Sequence, residues 1–140
     1  MTLLESCLFC KIIKGVIPCH KVVETPRILA FMDIGPLSEG HILVIPKSHA
    51  ERLHLVPDEY LSELLPTAKE IAGKAFGAKG IDYNVLQNNG KLASQEVDHV
   101  HFHIIPKRGA QEGLGLRWNP QKFSSEQLAT TAAEIRALLE

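Results

Sequence analysis

The run His99-Val100-His101-Phe102-His103-Ile104-Ile105-Pro106 constrains this chain more than any other segment. Successive side chains of a strand point to opposite faces, so residues 99, 101 and 103 share one face and Val100, Phe102 and Ile104 the other. One face can join a core while three imidazoles line a pocket. A lone strand histidine is ordinarily a satisfied structural residue. Three in alternation point to a site, because three buried rings need a partner for every nitrogen. Pro106 is expected to end the strand, which is read over 100–105.

Four further strands are predicted. Val22-Val23-Glu24 and Ile28 to Met32 flank a turn containing Pro26, His41 to Ile45 is a strongly apolar run stopped by Pro46, and Ile81 to Leu86 follows Gly80. Pro57, Asp58 and Glu59 suit a helix start. Leu61, Leu64, Leu65, Ala68, Ile71, Ala72, Ala75 and Phe76 then recur at helical spacing up to Gly77, a plausible residue just past the helix end. Pro66 inside this pattern predicts a kink or a broken first turn. Near the C-terminus Ser124 and Gln127 have capping-box spacing, Phe123 and Leu128 are placed for a hydrophobic staple, and Leu128, Ala132, Ile135 and Leu139 define one apolar helix face. Five strands and two main helices predict an α+β sheet with the helices on one side. Most connections are too short for the crossover helices of a doubly wound fold. No Gly-rich nucleotide loop of the GxGxxG or Walker type is present.

A chain of 140 residues suits one domain over 1–140, and 45% hydrophobic against 22% charged residues reads as globular. Fifteen Lys and Arg against sixteen Asp and Glu give a net charge of -1, which removes the broad basic field of a non-specific nucleic-acid or membrane-surface binder. No run approaches the ~18 apolar residues of a membrane span, and the first residues lack a basic-then-apolar leader pattern. Three cysteines cannot all pair within the chain, so a reducing compartment is expected, cytoplasmic or also nuclear.

Two chemistries suit the histidine face. Alternating imidazoles can chelate a metal, although such sites usually add a carboxylate or a distant histidine. Alternatively, a neutral imidazole whose other nitrogen donates to a fixed acceptor is a good nucleophile toward phosphorus, with neighbouring donors holding the phosphate oxygens. Cys7 and Cys10 form a CxxC that fits buried structural thiols, or a zinc site if two distant histidines complete it; a redox pair would call for a preceding strand. No clustered acids mark a magnesium site.

The chain resembles the histidine triad (HIT) superfamily, specifically the Hint-like nucleoside phosphoramidases and most nearly the fungal ones. The resemblance rests on Cys7-Leu8-Phe9-Cys10-Lys11-Ile12-Ile13, Ile17-Pro18, Ala30 to Ile34, Gly40 to His49, Asn88-Asn89-Gly90, Ala93-Ser94-Gln95, the histidine strand and Trp118, in family order along most of the chain. It implies a five-stranded antiparallel sheet, a homodimer to which a tail of about 109–140 contributes, and hydrolysis of P–N bonds at the α-phosphate of purine nucleotides such as AMP-linked amines. No cofactor is implied for catalysis. By motif position His101 resembles the nucleophile that becomes nucleotidylated, His99 and His41 supporting histidines, and His103 a phosphate-facing residue that assists the leaving group.

Phe9, Phe31 and Ile34 resemble apolar walls around the base, Asp33 the ribose-binding carboxylate and Asn88 a polar residue near phosphate or sugar. Gln95, Glu96 and Val97 lie on the approach to the histidine strand, and Trp118 resembles a residue that crosses the dimer to the other pocket. Two positions depart from the family pattern: Ser94 stands where glycine is frequent, and Glu96 where Ser or Thr is frequent. Some relatives hold structural zinc at positions matching Cys7, Cys10, His49 and His99. Cys19 has no evident partner, and His20 and His54 read as solvent-facing or capping residues. Competing readings are a dinucleoside-polyphosphate hydrolase, a nucleotide-binding adaptor with weak turnover, and a zinc scaffold.

Overall fold

The structure is a computed structural model that describes residues 2–140, so Met1 of the domain expected over 1–140 lies outside it. The strands are β1 (Lys21–Glu24), β2 (Ile28–Met32), β3 (Ile42–Pro46), β4 (Asp82–Gln87) and β5 (Phe102–Lys107), and the helices α1 (Leu8–Ile13), α2 (Asp58–Ala75) and α3 (Ser125–Leu139). They form one antiparallel sheet in the order β1-β2-β3-β5-β4, so the α+β expectation holds. Thr25 closes the β1–β2 turn, its Oγ1 accepting from the backbone N–H of Ile28 at 2.9 Å.

Residue parity explains the layers. Phe31 pairs with Leu43 and Leu43 with His103, so odd-numbered residues of β2, β3 and β5 share one face and even-numbered ones the other. The even face, with Ile28, Ala30, Val44, Val100, Phe102 and Ile104, packs against Tyr60, Leu64, Ala68, Ile71 and Ala72 of α2. The odd face, with Leu29, Phe31, Leu43 and Ile45, packs against Phe9 and Ile12 of α1. The histidine run therefore divides as expected: its apolar residues face α2 and its imidazoles face the side of α1.

Four local expectations change. First, α2 runs unbroken through Pro66. The carbonyl left without a donor belongs to Ser62, which is exposed like Pro66 itself and can bond water, while the apolar stripe holds the helix to the sheet. Second, the left-handed residue that ends this region is Gly80, φ +70°, not Gly77, because a 3-10 turn over Gly77–Lys79 intervenes. Third, β5 begins two residues later than the sequence suggested and carries Pro106 inside it, paired with Tyr83 on β4. The proline is tolerated because the ladder to β3 stops at Ile104, and its carbonyl accepts from Ser38 Oγ.

The fourth change concerns the helices, which do not share one side. α1 and α2 cover opposite faces, and α3 buries no residue within the chain. Its capping box is present, with Ser124 Oγ accepting from Gln127 N–H and Gln127 Oε1 from Ser124 N–H, yet Phe123, Leu128, Ile135 and Leu139 all stay exposed. The apolar stripe of α3 covers no surface of the chain. No helix among the described residues is long and apolar enough to cross a membrane.

Leu64 lies at 0% exposure just before Pro66. Leu64→Ala is expected to lower the free energy of unfolding by about 2–5 kcal/mol in urea denaturation, and a loss under about 1 kcal/mol would contradict a buried stripe continuous past the proline.

Candidate active site

On the odd face a cavity of about 480 Å³ opens between α1, the ends of β2 and β4, and the histidine segment, a size that suits a small-molecule ligand. Of the sequence candidates, Phe9, Phe31, Asp33, Ile34, Asn88, Glu96 and Val97 line it together with His41, His101 and His103. Phe9 meets Phe31 edge-on at 5.6 Å between centroids and meets the His101 ring edge-on at 5.1 Å, so it forms both cavity wall and support for that imidazole. Ile34 stands at the rim, 92% exposed. Asp33 uses Oδ1 to accept from the Gly35 N–H at 2.8 Å, closing its own turn, while Oδ2 lies 3.5 Å from His41 Nε2.

Backbone groups assign the tautomers. A carbonyl can only accept, so the 2.7 Å contact between His101 Nδ1 and the His99 carbonyl places the proton on Nδ1. His101 therefore keeps its lone pair on Nε2. A backbone N–H can only donate, so Leu37 N–H at 3.1 Å from His41 Nδ1 leaves that nitrogen bare and the proton on Nε2. His41 Nε2 then donates to His103 Nδ1 at 2.9 Å, which puts the His103 proton on Nε2. One lone pair and one N–H result on neighbouring rings whose centroids lie 4.9 Å apart. Burial lowers the basicity of all three rings, that of His103 to about 4 with help from the neighbouring His101 and His41. The rings stay neutral at physiological pH, as a nucleophile and a hydrogen-bond donor require.

His99 lies outside the cavity. Its Nε2 donates to the Pro46 carbonyl at 2.9 Å, which turns the Nδ1 lone pair toward Cys7 Sγ at 3.4 Å and Cys10 Sγ at 3.5 Å; His49 Nδ1 lies 3.5 Å from Cys10 Sγ. A thiolate and an imidazole on one tetrahedral zinc are separated by about 3.5 Å, given bonds of about 2.3 and 2.0–2.1 Å. The four donors thus fit a zinc tetrahedron, with the Pro46 carbonyl as the outer partner that orients His99. Burial raises the Cys10 thiol to about 11. Asp33, His41 and His103 also lie together, but 2.9 Å between two imidazole nitrogens is a hydrogen bond, shorter than the about 3.3 Å edge such nitrogens keep on tetrahedral zinc.

Three further candidate residues lie outside this cavity. Gln95 is buried but does not line the cavity: Oε1 accepts from Gly90 N–H and Arg52, and Nε2 donates to the Glu51 and Val97 carbonyls, which stitches the loop together. Trp118 is 84% exposed and does not line this cavity. The His99 ring serves the thiol cluster, and only its carbonyl serves His101. Cys19, for which no partner was evident, lines the cavity, as does Leu114. His20 and His54 are exposed. Leu37 went unnoticed because it acts through a backbone N–H, for which a sequence carries no side-chain signal.

Comparison with known proteins agrees with this geometry. The HIT domain model matches residues 14–110. The chain is 50% identical over 135 residues to an adenosine 5′-monophosphoramidase of Schizosaccharomyces pombe, covering 96% of this chain and 99% of that protein. It is 52% identical over 139 residues to an adenosine 5′-monophosphoramidase of Saccharomyces cerevisiae, covering 99% of this chain and 86% of that protein. The crystal structure of a histidine triad nucleotide-binding protein from Candida albicans superposes with a TM-score of 0.91 at 45% identity, covering 96% of this chain and 97% of that one.

Ser94 holds φ +68°, the only non-glycine at positive φ among the described residues, which explains why a glycine suits this position. Ser94→Gly is expected to raise stability by about 0.5–1 kcal/mol in thermal or urea unfolding, the left-handed strain outweighing the added chain entropy; a loss would contradict that strain.

Proposed function

The chain belongs to the HIT domain family, as a relative of the fungal adenosine 5′-monophosphoramidases, and from that premise we propose that it is a purine nucleoside phosphoramidase. It cleaves the P–N bond at the α-phosphate of AMP-linked amines through a nucleotidyl-histidine on His101. The observation that carries this reading is the 2.7 Å bond from His101 Nδ1 to the His99 carbonyl, which leaves an Nε2 lone pair on a cavity-lining ring.

Phe9, Phe31 and Ile34 wall the base, and Asp33 Oδ2 accepts from the ribose hydroxyls because Oδ1 is held by its turn. His101 Nε2 attacks phosphorus. A P–N bond to the imidazole forms as the bond to the amine breaks, and the departing nitrogen keeps the electron pair and takes a proton through His103 Nε2. The anionic phosphate attracts the His103 Nε2–H, so the neutral pair presents the proton the amine needs. Water then attacks phosphorus, the histidyl bond breaks, AMP leaves, and the water's proton returns to the His41–His103 pair. Asn88 Nδ2 donates one N–H to the Ser94 carbonyl at 3.2 Å, which leaves its second N–H for a phosphate oxygen and its Oδ1 to accept from a sugar hydroxyl. The cavity lining includes the carboxylates Asp33 and Glu96 and no Lys or Arg among the described residues, which disfavours polyphosphates and therefore a dinucleoside-polyphosphate hydrolase.

The Cys7, Cys10, His49 and His99 cluster holds one structural zinc in this reading, which would tie the α1 end to the β3 exit. The functional unit is a homodimer. The edge strand β4 exposes Tyr83 and Val85, α3 has an uncovered apolar stripe, and Trp118 is free to reach the pocket of a second copy. Three thiols outside any disulfide favour a reducing location, cytoplasmic or also nuclear.

His101→Ala tests the chemistry. Turnover of adenosine 5′-phosphoramidate should fall by at least about 1000-fold while AMP affinity stays within about 10-fold, since the alanine lacks a nucleophile but leaves the walls. Near-normal turnover by a correctly folded variant would reject His101. Native mass spectrometry tests the assembly: a mass of twice 15.5 kDa plus one zinc per chain is expected, and a metal-free monomer at micromolar concentration would reject both statements.

A further inference from the structure

We propose that Gly113 is a positioning residue for the His41–His103 pair: by holding the Leu37 carbonyl it keeps the Leu37 N–H on His41 Nδ1, and so keeps the His103 proton on Nε2. Gly113 N–H donates to the Leu37 carbonyl at 2.9 Å, and Leu37 N–H donates to His41 Nδ1 at 3.1 Å. The segment carrying Gly113 is itself anchored to the end of β5. Lys107 Nζ donates to the carbonyls of Glu112 and Leu114, while Arg108 bridges the Glu112 carboxylate and the Glu39 carbonyl. The loop before β3 is thus clamped from outside the cavity, and the clamp ends on a catalytic tautomer.

Only glycine fits the clamp as built. Gly113 holds φ +78°, and a Cβ there would lie 3.0 Å from the Pro106 carbonyl oxygen and 3.2 Å from Lys107 Cβ and Cγ. The closest of these atoms is backbone within β5, which cannot swing aside as a side-chain tip would. Relief must come from the 112–114 segment moving outward, and that movement draws the Gly113 N–H off Leu37. Once the Leu37 N–H no longer faces it, His41 Nδ1 can take the proton. His41 Nε2 then becomes an acceptor, His103 must donate through Nδ1, and the cavity loses the Nε2–H that serves the departing nitrogen. A loop glycine outside the cavity lining thereby governs which nitrogen of a catalytic imidazole carries a proton.

The inference deepens the phosphoramidase reading and rests on it for the rate effect, whereas its tautomer effect stands apart from any substrate. The experiment compares wild type, Gly113→Ala and, as a control on the same loop, Gly115→Ala, where a Cβ meets nothing within 4 Å. Histidine ring 15N–1H correlation spectra report the tautomers, and steady-state kinetics with adenosine 5′-phosphoramidate report kcat and KM. In Gly113→Ala a second tautomer should appear at His41 and His103, with kcat down about 10-fold and KM within about 2-fold, the signature of a lost donor rather than a lost pocket. Gly115→Ala should match wild type in both readouts. Wild-type tautomers in Gly113→Ala, or the same change in Gly115→Ala, would overturn the proposal. If wild type fails to turn over the substrate, the phosphoramidase reading falls and the spectra alone decide this one. If Gly113→Ala fails to fold, Lys107→Met releases the Glu112 and Leu114 carbonyls with the glycine intact: the second tautomer there supports the proposal, and its absence rejects it.

Discussion

A backbone carbonyl accepts hydrogen bonds and a backbone N–H donates them, and neither can exchange roles. The histidine face depends on this asymmetry. Imidazole is ambiguous by itself, since either nitrogen can carry the proton, and a site with several neutral rings has many proton arrangements of similar energy. Here the Pro46 carbonyl, the His99 carbonyl and the Leu37 N–H each remove one choice. His99 offers a lone pair to two thiols, His101 a lone pair to the cavity, and His103 an N–H beside it. The backbone groups are in turn placed by the end of β3, by the segment that leads into β5, and by a loop fastened at the far end of β5.

Burial adds the second condition. Rings surrounded by Phe9, the sheet and one another hold a positive charge poorly, so they remain neutral where a solvent-exposed histidine would begin to protonate. The cost of burying so many polar atoms is offset by pairing them within the protein; the buried side-chain atom left without a partner among the described residues is His49 Nε2, on the outer side of the thiol cluster. The sheet makes both arrangements compatible. Odd residues carry the polar machinery and even residues carry the α2 core, so neither has to compromise the other.

The parts that were hard to anticipate share a cause. Pro66 was expected to disturb α2 because local rules weigh a missing N–H, but the helix faces water at that point and is held elsewhere. Pro106 was expected to end a strand, yet where β5 loses its β3 neighbour a proline can remain in the ladder to β4. Gln95 sits in a motif beside the catalytic residues, on the approach to the histidine strand, yet it turns to loop carbonyls. His99 turns to Cys7 and Cys10, the set that the resemblance had implied. The stripe on α3 reads like a core-facing surface, but no residue of the helix is buried within the chain.

The sequence by itself determined the alternation that divides histidines from apolar residues, the α+β class with five strands, the α3 capping box, and most of the cavity lining. These follow from side-chain chemistry repeated at the period of a strand or a helix, which local spacing encodes directly. Only the tertiary structure decided which imidazole nitrogen bears a proton, that β3 and β5 lie side by side with β4 at the edge, and that Leu37 and Gly113 take part at all. Those outcomes depend on backbone N–H and carbonyl groups, which every residue except proline possesses alike. Their meaning lies in where the fold aims them, and no residue letter records that direction.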